Sequence, residues 1–221
     1  MDPNTFDARP QFNTSIMLFE DDFESGVLKD FWVPTSSTAV VEIADIPGRF
    51  QSTKSLKTSV LSEEFDAYIS VDLSQQPLPP ELWIRADVYL AGADTNFVNF
   101  LAISNYLTMD DAGHSNAPGE GIALGITTSN GTEMIWLEDN DERRVPQASD
   151  VPNEYWACIE LHSYTSPDAP PLTEMYFDGA LHNTTNKNVY FPGKTWVNFG
   201  IFGRFADKHK FVERTVYIDN I

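Results

Sequence analysis

The sequence predicts an all-β protein: an antiparallel two-sheet β-sandwich of the jelly-roll type with a concave face. Segments rich in β-branched and aromatic residues recur throughout the chain, whereas runs with apolar residues at helical spacing are short. We expect roughly ten strands, and an open sheet of that size tends to split into two packed layers. Segments rich in Pro, Gly, Asn and Asp separate the strands and are read as loops.

The expected strands follow the chain in order. They span residues 40–43, 67–71, 82–90, 97–104, 121–127, 133–137, 155–164, 173–177, 195–205 and 215–221. Together they are expected to form one domain over residues 1–221, with residues 1–15 as an extended N-terminal arm.

Alternation of apolar and polar residues assigns the two faces of the longest strands. The expected core-facing residues are Leu82, Ile84, Ala86, Val88 and Leu90, then Ala157, Ile159 and Leu161, then Val197, Phe199 and Ile201. In strand 121–127, Gly121, Ala123 and Gly125 face the opposite way. Because these residues are small, that face is expected to have room for a ligand.

Composition excludes several classes of function. The chain carries 33 acidic and 14 basic residues, a formal charge of −19, which would repel the phosphate backbone of a nucleic acid. Cys158 is the only cysteine, so an intrachain disulfide is excluded and a buried, inert thiol is expected. No apolar run reaches the ~20 residues of a membrane span. Asn183-Thr184-Thr185 fits the acceptor pattern for N-glycosylation.

Five stretches spread over nearly the whole chain carry motifs of a known superfamily. LFEDDFESGVLKDFW at 18–32 resembles an opening strand, and VYIDN at 216–220 resembles a last strand. ELWIRADVYL at 81–90, YWACIELHSY at 155–164 and MYFDG at 175–179 look like inner strands and a "yvDG" hairpin. These motifs resemble the concanavalin A-like lectin/glucanase superfamily. The resemblance implies an extracellular protein, with its export signal outside this sequence, that binds or acts on its ligand at the concave sheet.

The same resemblance implies a calcium ion that ties the first strand to the last. Calcium prefers six to eight oxygen ligands, which carboxylates and backbone carbonyls can supply. Glu24 and Asp219 are the preferred pair. Asp22 is an alternative on the same side as Glu24, whereas Asp21 is expected to face away. The competing interpretation is that these acids cap turns or face water.

The outward-facing residues of the longest strands suggest a glycan-binding groove. This set contains Trp83, Arg85, Asp87, Tyr89, Glu160, His162, Tyr164, Asn198 and Arg204. Sugar rings stack on aromatic side chains, while their hydroxyl and carboxylate groups pair with polar and charged ones. The competing interpretation is simple alternation on a solvent-exposed sheet face.

Part of this set also fits the chemistry of a polysaccharide lyase. Arg85 or Arg204 would neutralise a uronate carboxylate, His162 would remove the C5 proton and Tyr164 would protonate the leaving oxygen. Some members of the superfamily are alginate or glucuronan lyases, but the R-[ST]-E-L-R, Q-I-H and Y-K-A-G-x-Y patterns of the common alginate lyases are absent. Hydrolysis by Glu160 with Asp87 is a weaker option, because the E-x-D-x-x-E glucanase motif is also absent.

The sequence therefore predicts an extracellular jelly roll, stabilised by calcium, that binds an extended polysaccharide on its concave sheet. Uronate-containing polymers are favoured because two arginines belong to the predicted groove. Two alternatives stay open: a lyase that cleaves uronate glycans by β-elimination, and a non-catalytic structural or protein-interaction domain.

Overall fold

The chain folds into two antiparallel sheets of seven strands each, which confirms the predicted β-sandwich. This computed structural model describes residues 16–35, 40–46, 48–49, 52–60, 66–91, 98–105, 121–129, 132–139, 145–148, 155–191, 194–202 and 214–221. The predicted N-terminal arm, residues 1–15, lies outside the described residues. No helix long and apolar enough to cross a membrane occurs in the described part of the chain.

The strands are numbered along the chain, and the order within each sheet runs from one edge to the other. Sheet A contains β1 (Val33–Thr35), β4 (Asp66–Asp72), β13 (Trp196–Phe202), β6 (Val98–Ser104), β7 (Gly121–Ser129), β8 (Thr132–Asp139) and β9 (Val145–Ala148). Sheet B contains β12 (Ala180–Thr185), β11 (Thr173–Phe177), β10 (Trp156–Tyr164), β5 (Glu81–Ala91), β14 (Arg214–Asp219), β3 (Ser55–Val60) and β2 (Val40–Ala44).

All ten expected strands are present, and the structure adds β1, β3, β9 and β12. In β3 the sequence SLKTSV conceals the alternation, because Ser and Thr occupy buried positions beside Leu56 and Val60. The expected opening strand within 18–32 is wrong: this stretch forms turns at 24–27 and 30–31 and contains no strand.

The core lies between the sheets and follows the predicted alternation. Buried residues from the longest strands include Leu82, Ile84, Ala86, Val88, Ala157, Ile159, Leu161, Val197, Phe199 and Ile201. Because their neighbours in sequence point away from the core, the same pattern determines which side chains reach the outer faces.

Asp21 anchors the segment that precedes β1. Its backbone exchanges two hydrogen bonds with Ile221, with N–O distances of 3.2 and 3.0 Å, and so joins this segment to the end of the chain. The Asp21 carboxylate accepts a hydrogen bond from Trp32 Nε1 at 2.7 Å and one from Phe23 N at 3.0 Å. The buried Trp32 ring packs edge-on against Phe199 in the core.

Strand β12 turns Asn183 toward the interior of the sandwich. Asn183 is 4% exposed, and its Oδ1 accepts a hydrogen bond from the backbone N of Thr184 at 2.8 Å. It pairs with Met175 of β11, beside a register shift between Met175 and Tyr176. The amide of this residue is therefore held inside the fold.

Gly200 occupies an irregular part of sheet A. The register between β13 and β6 shifts between Phe199 and Phe202, and a shift of this kind bends the strand. Gly200 has φ +134°, and an added Cβ would lie 2.3 Å from Ala67 O and 2.6 Å from Tyr68 Cα. Only glycine fits there without displacing the backbone of β4.

Substituting Gly200→Ala is expected to lower the free energy of unfolding by about 3 kcal/mol or more, because a positive φ is combined with backbone overlap. Gly179→Ala is the matched control, since Gly179 has φ +79° but nothing within 4 Å of the added Cβ. The control should lose only about 1 kcal/mol. Urea denaturation measures both values, and equal losses would contradict the steric argument.

Candidate functional site

The outer face of sheet B brings together most of the predicted groove residues. Trp83, Arg85, Asp87 and Tyr89 come from β5, and Glu160, His162 and Tyr164 come from β10. Antiparallel pairing places His162 opposite Trp83 and Glu160 opposite Arg85. Side chains opposite one another in a sheet share a face and interact, so the pairing of β5 with β10 assembles this surface.

Asn198 and Arg204 do not extend this surface as predicted. Asn198 belongs to β13 of sheet A, where its Oδ1 accepts a hydrogen bond from Ser70 Oγ at 2.6 Å and its Nδ2 donates one to Ser104 Oγ at 3.3 Å. Its predicted place beside Trp83 is wrong, because alternation assigns a strand's faces but not its sheet. Arg204 lies outside the described residues.

The outer face of sheet A is buried around Tyr68, although Val33 on the edge strand β1 is exposed. Tyr68, Ala102 and Ala123 form a small cluster, and none is more than 7% exposed. A Cβ added to Gly121 would lie 3.2 Å from Ile103 O. Ala123 is thus enclosed, whereas Gly121 is partly exposed, and the room expected beside the small residues of β7 stays a prediction.

Four rings on sheet B form what we call the Trp83 cluster: Trp83, His162, Tyr164 and Tyr176. Trp83 and His162 stack with ring centroids 4.2 Å apart and an interplanar angle of 12°. The Tyr176 ring lies 5.7 Å from Trp83, and the Tyr164 ring lies 5.3 Å from His162. His162 is 8% exposed, whereas the other three rings are partly exposed.

A second group of rings, the Tyr89 cluster, contains Tyr89, Trp156 and Tyr217. The centroids of Trp156 and Tyr217 lie 5.5 and 6.0 Å from that of Tyr89, and all three rings are partly exposed. Tyr89 follows Trp83 by six residues in β5, which places the two clusters ~20 Å apart along the strand. The face therefore carries two aromatic areas along one line.

The ring of His162 is held between two carboxylates. Its Nδ1 lies 2.8 Å from Glu174 Oε2, which also accepts a hydrogen bond from the Tyr176 hydroxyl at 3.2 Å. Its Nε2 lies 3.4 Å from Glu81 Oε2, but the geometry is too poor for a hydrogen bond. His162 is thus fixed against Trp83 and largely shielded from solvent.

The three residues assigned to the lyase reaction come from successive positions along β5 and β10. Arg85 is level with Glu160 on the neighbouring strand, whereas Tyr164 is level with Glu81. Four residues along a strand correspond to ~13 Å, so Arg85 and Tyr164 are well separated. The backbone positions of Arg85, His162 and Tyr164 are therefore at three successive levels of the sheet.

Asp87 is enclosed, which argues against a hydrolytic pair with Glu160. It is 1% exposed, and burial raises its pKa although Arg49 opposes the shift. The Arg49 guanidinium lies 3.4 Å from Asp87 and 2.8 Å from Asp178. Opposite Asp87, burial raises the pKa of Cys158 to about 12, so its thiol is neutral and a poor nucleophile.

Of the predicted calcium ligands, Asp219 has the most enclosed position. Its side chain is buried, and its Oδ2 accepts a hydrogen bond from Ser52. Burial raises the pKa of Asp219 to about 6, and the negative charges of Asp87 and Glu24 contribute to the shift. Gly48 lies so close that an added Cβ would be 1.8 Å from Asp219 Oδ2.

The other two predicted calcium ligands, Glu24 and Asp22, have different hydrogen-bond partners. The Glu24 carboxylate accepts hydrogen bonds from the backbone N of Thr53 at 2.6 Å and of Lys54 at 2.8 Å. Asp22 is exposed, and its Oδ1 caps the backbone N of Glu24 at 3.2 Å. Within the described residues, no group of three or more His, Cys, Asp or Glu side chains is placed to hold a metal. A cation at Asp219 would therefore need backbone, hydroxyl or water oxygens as well.

Sequence reasoning missed Tyr176, Glu174 and Arg49 as members of this surface. A period-two reading of 173–177 would have found the first two, because Thr173 and Met175 are buried and the residue that follows each of them faces outward. Arg49 lies in the loop before β3, where no pattern indicated its ion pairs with Asp87 and Asp178.

Comparisons with known proteins identify the fold. No family model matches the chain, and no curated protein matches it. An endo-β-1,4-glucuronan lyase from the fungus Trichoderma reesei superposes with a TM-score of 0.64 at 15% identity, over 92% of this chain and 93% of the lyase. The cellulose-induced protein Cip1 gives 0.61 at 20% identity, over 91% of this chain and 94% of Cip1.

A third solved structure, the alginate lyase Aly36B, gives a TM-score of 0.55 at 12% identity, over 76% of this chain and 80% of the lyase. At these identities the likeness concerns the arrangement of the strands and no individual residue. The chain has a jelly-roll β-sandwich fold like that of these solved structures, as the sequence predicted.

Proposed function

We propose that this chain binds an extended polysaccharide along the outer face of sheet B. The observation that carries the proposal is the pair of partly exposed aromatic clusters on that face, aligned along β5 and ~20 Å apart. Two aromatic areas at this spacing suit a polymer better than a single sugar. An extended polysaccharide of this kind is met outside the cell, which agrees with the expected extracellular location.

The chemistry of the face suits sugar rings. Aromatic rings offer apolar surfaces for the C–H faces of a sugar, and the stacking of Trp83 on the enclosed His162 holds the indole in one orientation. Between the clusters, Arg85 and Glu160 offer hydrogen-bonding groups to hydroxyls. A rigid platform loses little conformational entropy on binding, which favours affinity.

The fold comparisons support a polysaccharide ligand. Two of the similar structures are named as lyases of glucuronan and alginate, and Cip1 is named as induced by cellulose. These names favour a carbohydrate ligand over a protein partner. They also make β-elimination on a uronate polymer a second candidate function.

The arrangement on sheet B favours binding over catalysis. A general base must reach the proton that it removes, whereas His162 is 8% exposed, stacked on Trp83 and flanked by Glu81 and Glu174. Arg85 is level with Glu160, four residues along β10 from Tyr164. A lyase reaction that depends on His162 would therefore contradict the binding proposal.

Trp83→Ala should weaken binding to a polysaccharide about tenfold or more, because the substitution removes one of the two aromatic areas. Tyr89→Ala should weaken binding through the other area. Val33→Ala is the control, since Val33 is an exposed apolar residue on the edge strand of sheet A. Affinity electrophoresis against glucans, alginate and glucuronan measures the effect.

Unchanged retention of both aromatic variants would refute the proposed face, and no retention of the wild-type protein on any glycan would favour a protein-interaction domain. The same incubations report on catalysis through the absorbance of unsaturated uronates. Such product, lost in His162→Ala, would establish the lyase in place of the binding module. Product retained in His162→Ala would move the chemistry to another surface.

We further propose that calcium binds beside Asp219, with Glu24 as the second carboxylate. The fit rests on a buried carboxylate close to a second one and to the backbone of Gly48, since calcium takes carboxylate and carbonyl oxygens. Asp22 would take part only through the turn that it caps. The bound ion would supply charge compensation and would fasten the segment before β1 to the end of β14.

Calcium at about 100 times its dissociation constant should raise the melting temperature by roughly 5–10 °C over a chelator-treated sample, since only the native state would bind it. Asp219→Asn should abolish the rise. Asp168→Asn, at an exposed loop position, should keep it. The site is refuted if wild-type protein shows no rise or if Asp219→Asn shows the same rise.

A further inference from the structure

Carboxylates surround the Trp83 cluster. In the strand register Glu81 lies opposite Tyr164, Glu160 opposite Tyr176, and Glu174 opposite His162. The Glu81 and Glu174 side chains are 54% and 21% exposed, and Glu160 is partly exposed. A ligand on these rings would therefore lie in a negative potential, in a chain of formal charge −19.

The lysine and arginine side chains described on this face each have an acidic neighbour. Arg49 lies 2.8 Å from Asp178 and 3.4 Å from Asp87. Lys57, opposite Tyr217 of the second cluster, lies 2.9 Å from Glu42. A nearby carboxylate therefore balances the charge of each of these two side chains.

Arg85 follows Trp83 by two residues on the same face of β5. It lies opposite Glu160 and is close enough to the buried Asp87 carboxylate for their charges to interact. The second arginine expected in the groove, Arg204, lies outside the described residues and follows a strand of sheet A. Among the outward-facing residues described on β5 and β10, Arg85 is therefore the one arginine, and Arg49 reaches the same face from the loop before β3 with its charge paired to Asp87 and Asp178.

We infer that the outer face of sheet B binds neutral polysaccharides and discriminates against polyuronates, an inference that rests on the proposed glycan-binding function. A polyuronate carries a carboxylate on each sugar unit, so repulsion from Glu81, Glu160 and Glu174 repeats along the bound chain. A neutral polysaccharide of the same linkage carries no charge, so these carboxylates do not weaken its binding. The carboxylates thus act as the element that rejects the wrong ligand.

The decisive comparison uses β-1,4-linked gluco-oligosaccharides and β-1,4-linked glucurono-oligosaccharides of equal length, which differ only at C6. Quenching of tryptophan fluorescence measures both affinities. At ~0.01 M salt, where the Debye length is ~30 Å, the neutral oligosaccharide should bind at least about tenfold more tightly. At ~1 M salt the Debye length is ~3 Å, so glucuronate binding should strengthen. The ratio of the neutral to the glucuronate affinity should then approach one.

Glu81→Gln should strengthen glucuronate binding severalfold at low salt and leave neutral binding nearly unchanged, because Glu81 is exposed beside Tyr164 and its carboxylate is replaced by an uncharged group of the same shape. Asp30→Asn is the matched control, because it changes the net charge by the same amount at an exposed site in the segment before β1. An equal gain in glucuronate affinity from Asp30→Asn would contradict the inference. It would show that the net charge of the chain controls this affinity, and not the carboxylates on the outer face of sheet B.

Tighter binding of the glucuronate at low salt, or its weakening by added salt, would overturn the inference while leaving polysaccharide binding intact. Failure of both oligosaccharides to bind at either salt concentration would instead refute the proposed function itself. Neutral binding that persists unchanged in Trp83→Ala would show that the selectivity lies elsewhere on the protein.

Discussion

The pairing register of β5 with its two neighbours determines the surface on which the proposed function depends. β5 lies between β10 and β14 in sheet B, so its outward residues meet partners from both sides. A slip by one residue would bury Trp83 and expose Leu82, because side chains alternate between faces. The core therefore fixes the register, and the register fixes which rings stack on sheet B.

Alternation in the sequence was sufficient to predict the faces of the long strands, but it did not reveal which strands are neighbours. The outward residues of β5 and β10 were assigned to one surface and are paired in the structure. Asn198 was assigned with them, yet β13 belongs to the opposite sheet. Sheet membership follows from pairings between distant strands, and the local pattern of one strand carries no record of them.

The roles of the residues on sheet B were harder to predict from the sequence than their presence on that surface. The sequence suggested His162 as a base, and the structure instead places it between Glu174 and Glu81 and against Trp83. Such surroundings come from side chains on three strands and could not be read from any one of them. Arg49 shows the same limit, since its partners Asp87 and Asp178 lie 38 and 129 residues away.

The inward position of Asn183 constrains when this residue could be glycosylated. Its triplet fits the acceptor pattern, but the amide that would carry an oligosaccharide is enclosed and already accepts a hydrogen bond from its neighbour's backbone. A transferase acts on an accessible, extended acceptor. Attachment at this position would therefore have to precede closure of the sandwich, and the bulky product would then oppose the pairing of β12 with β11.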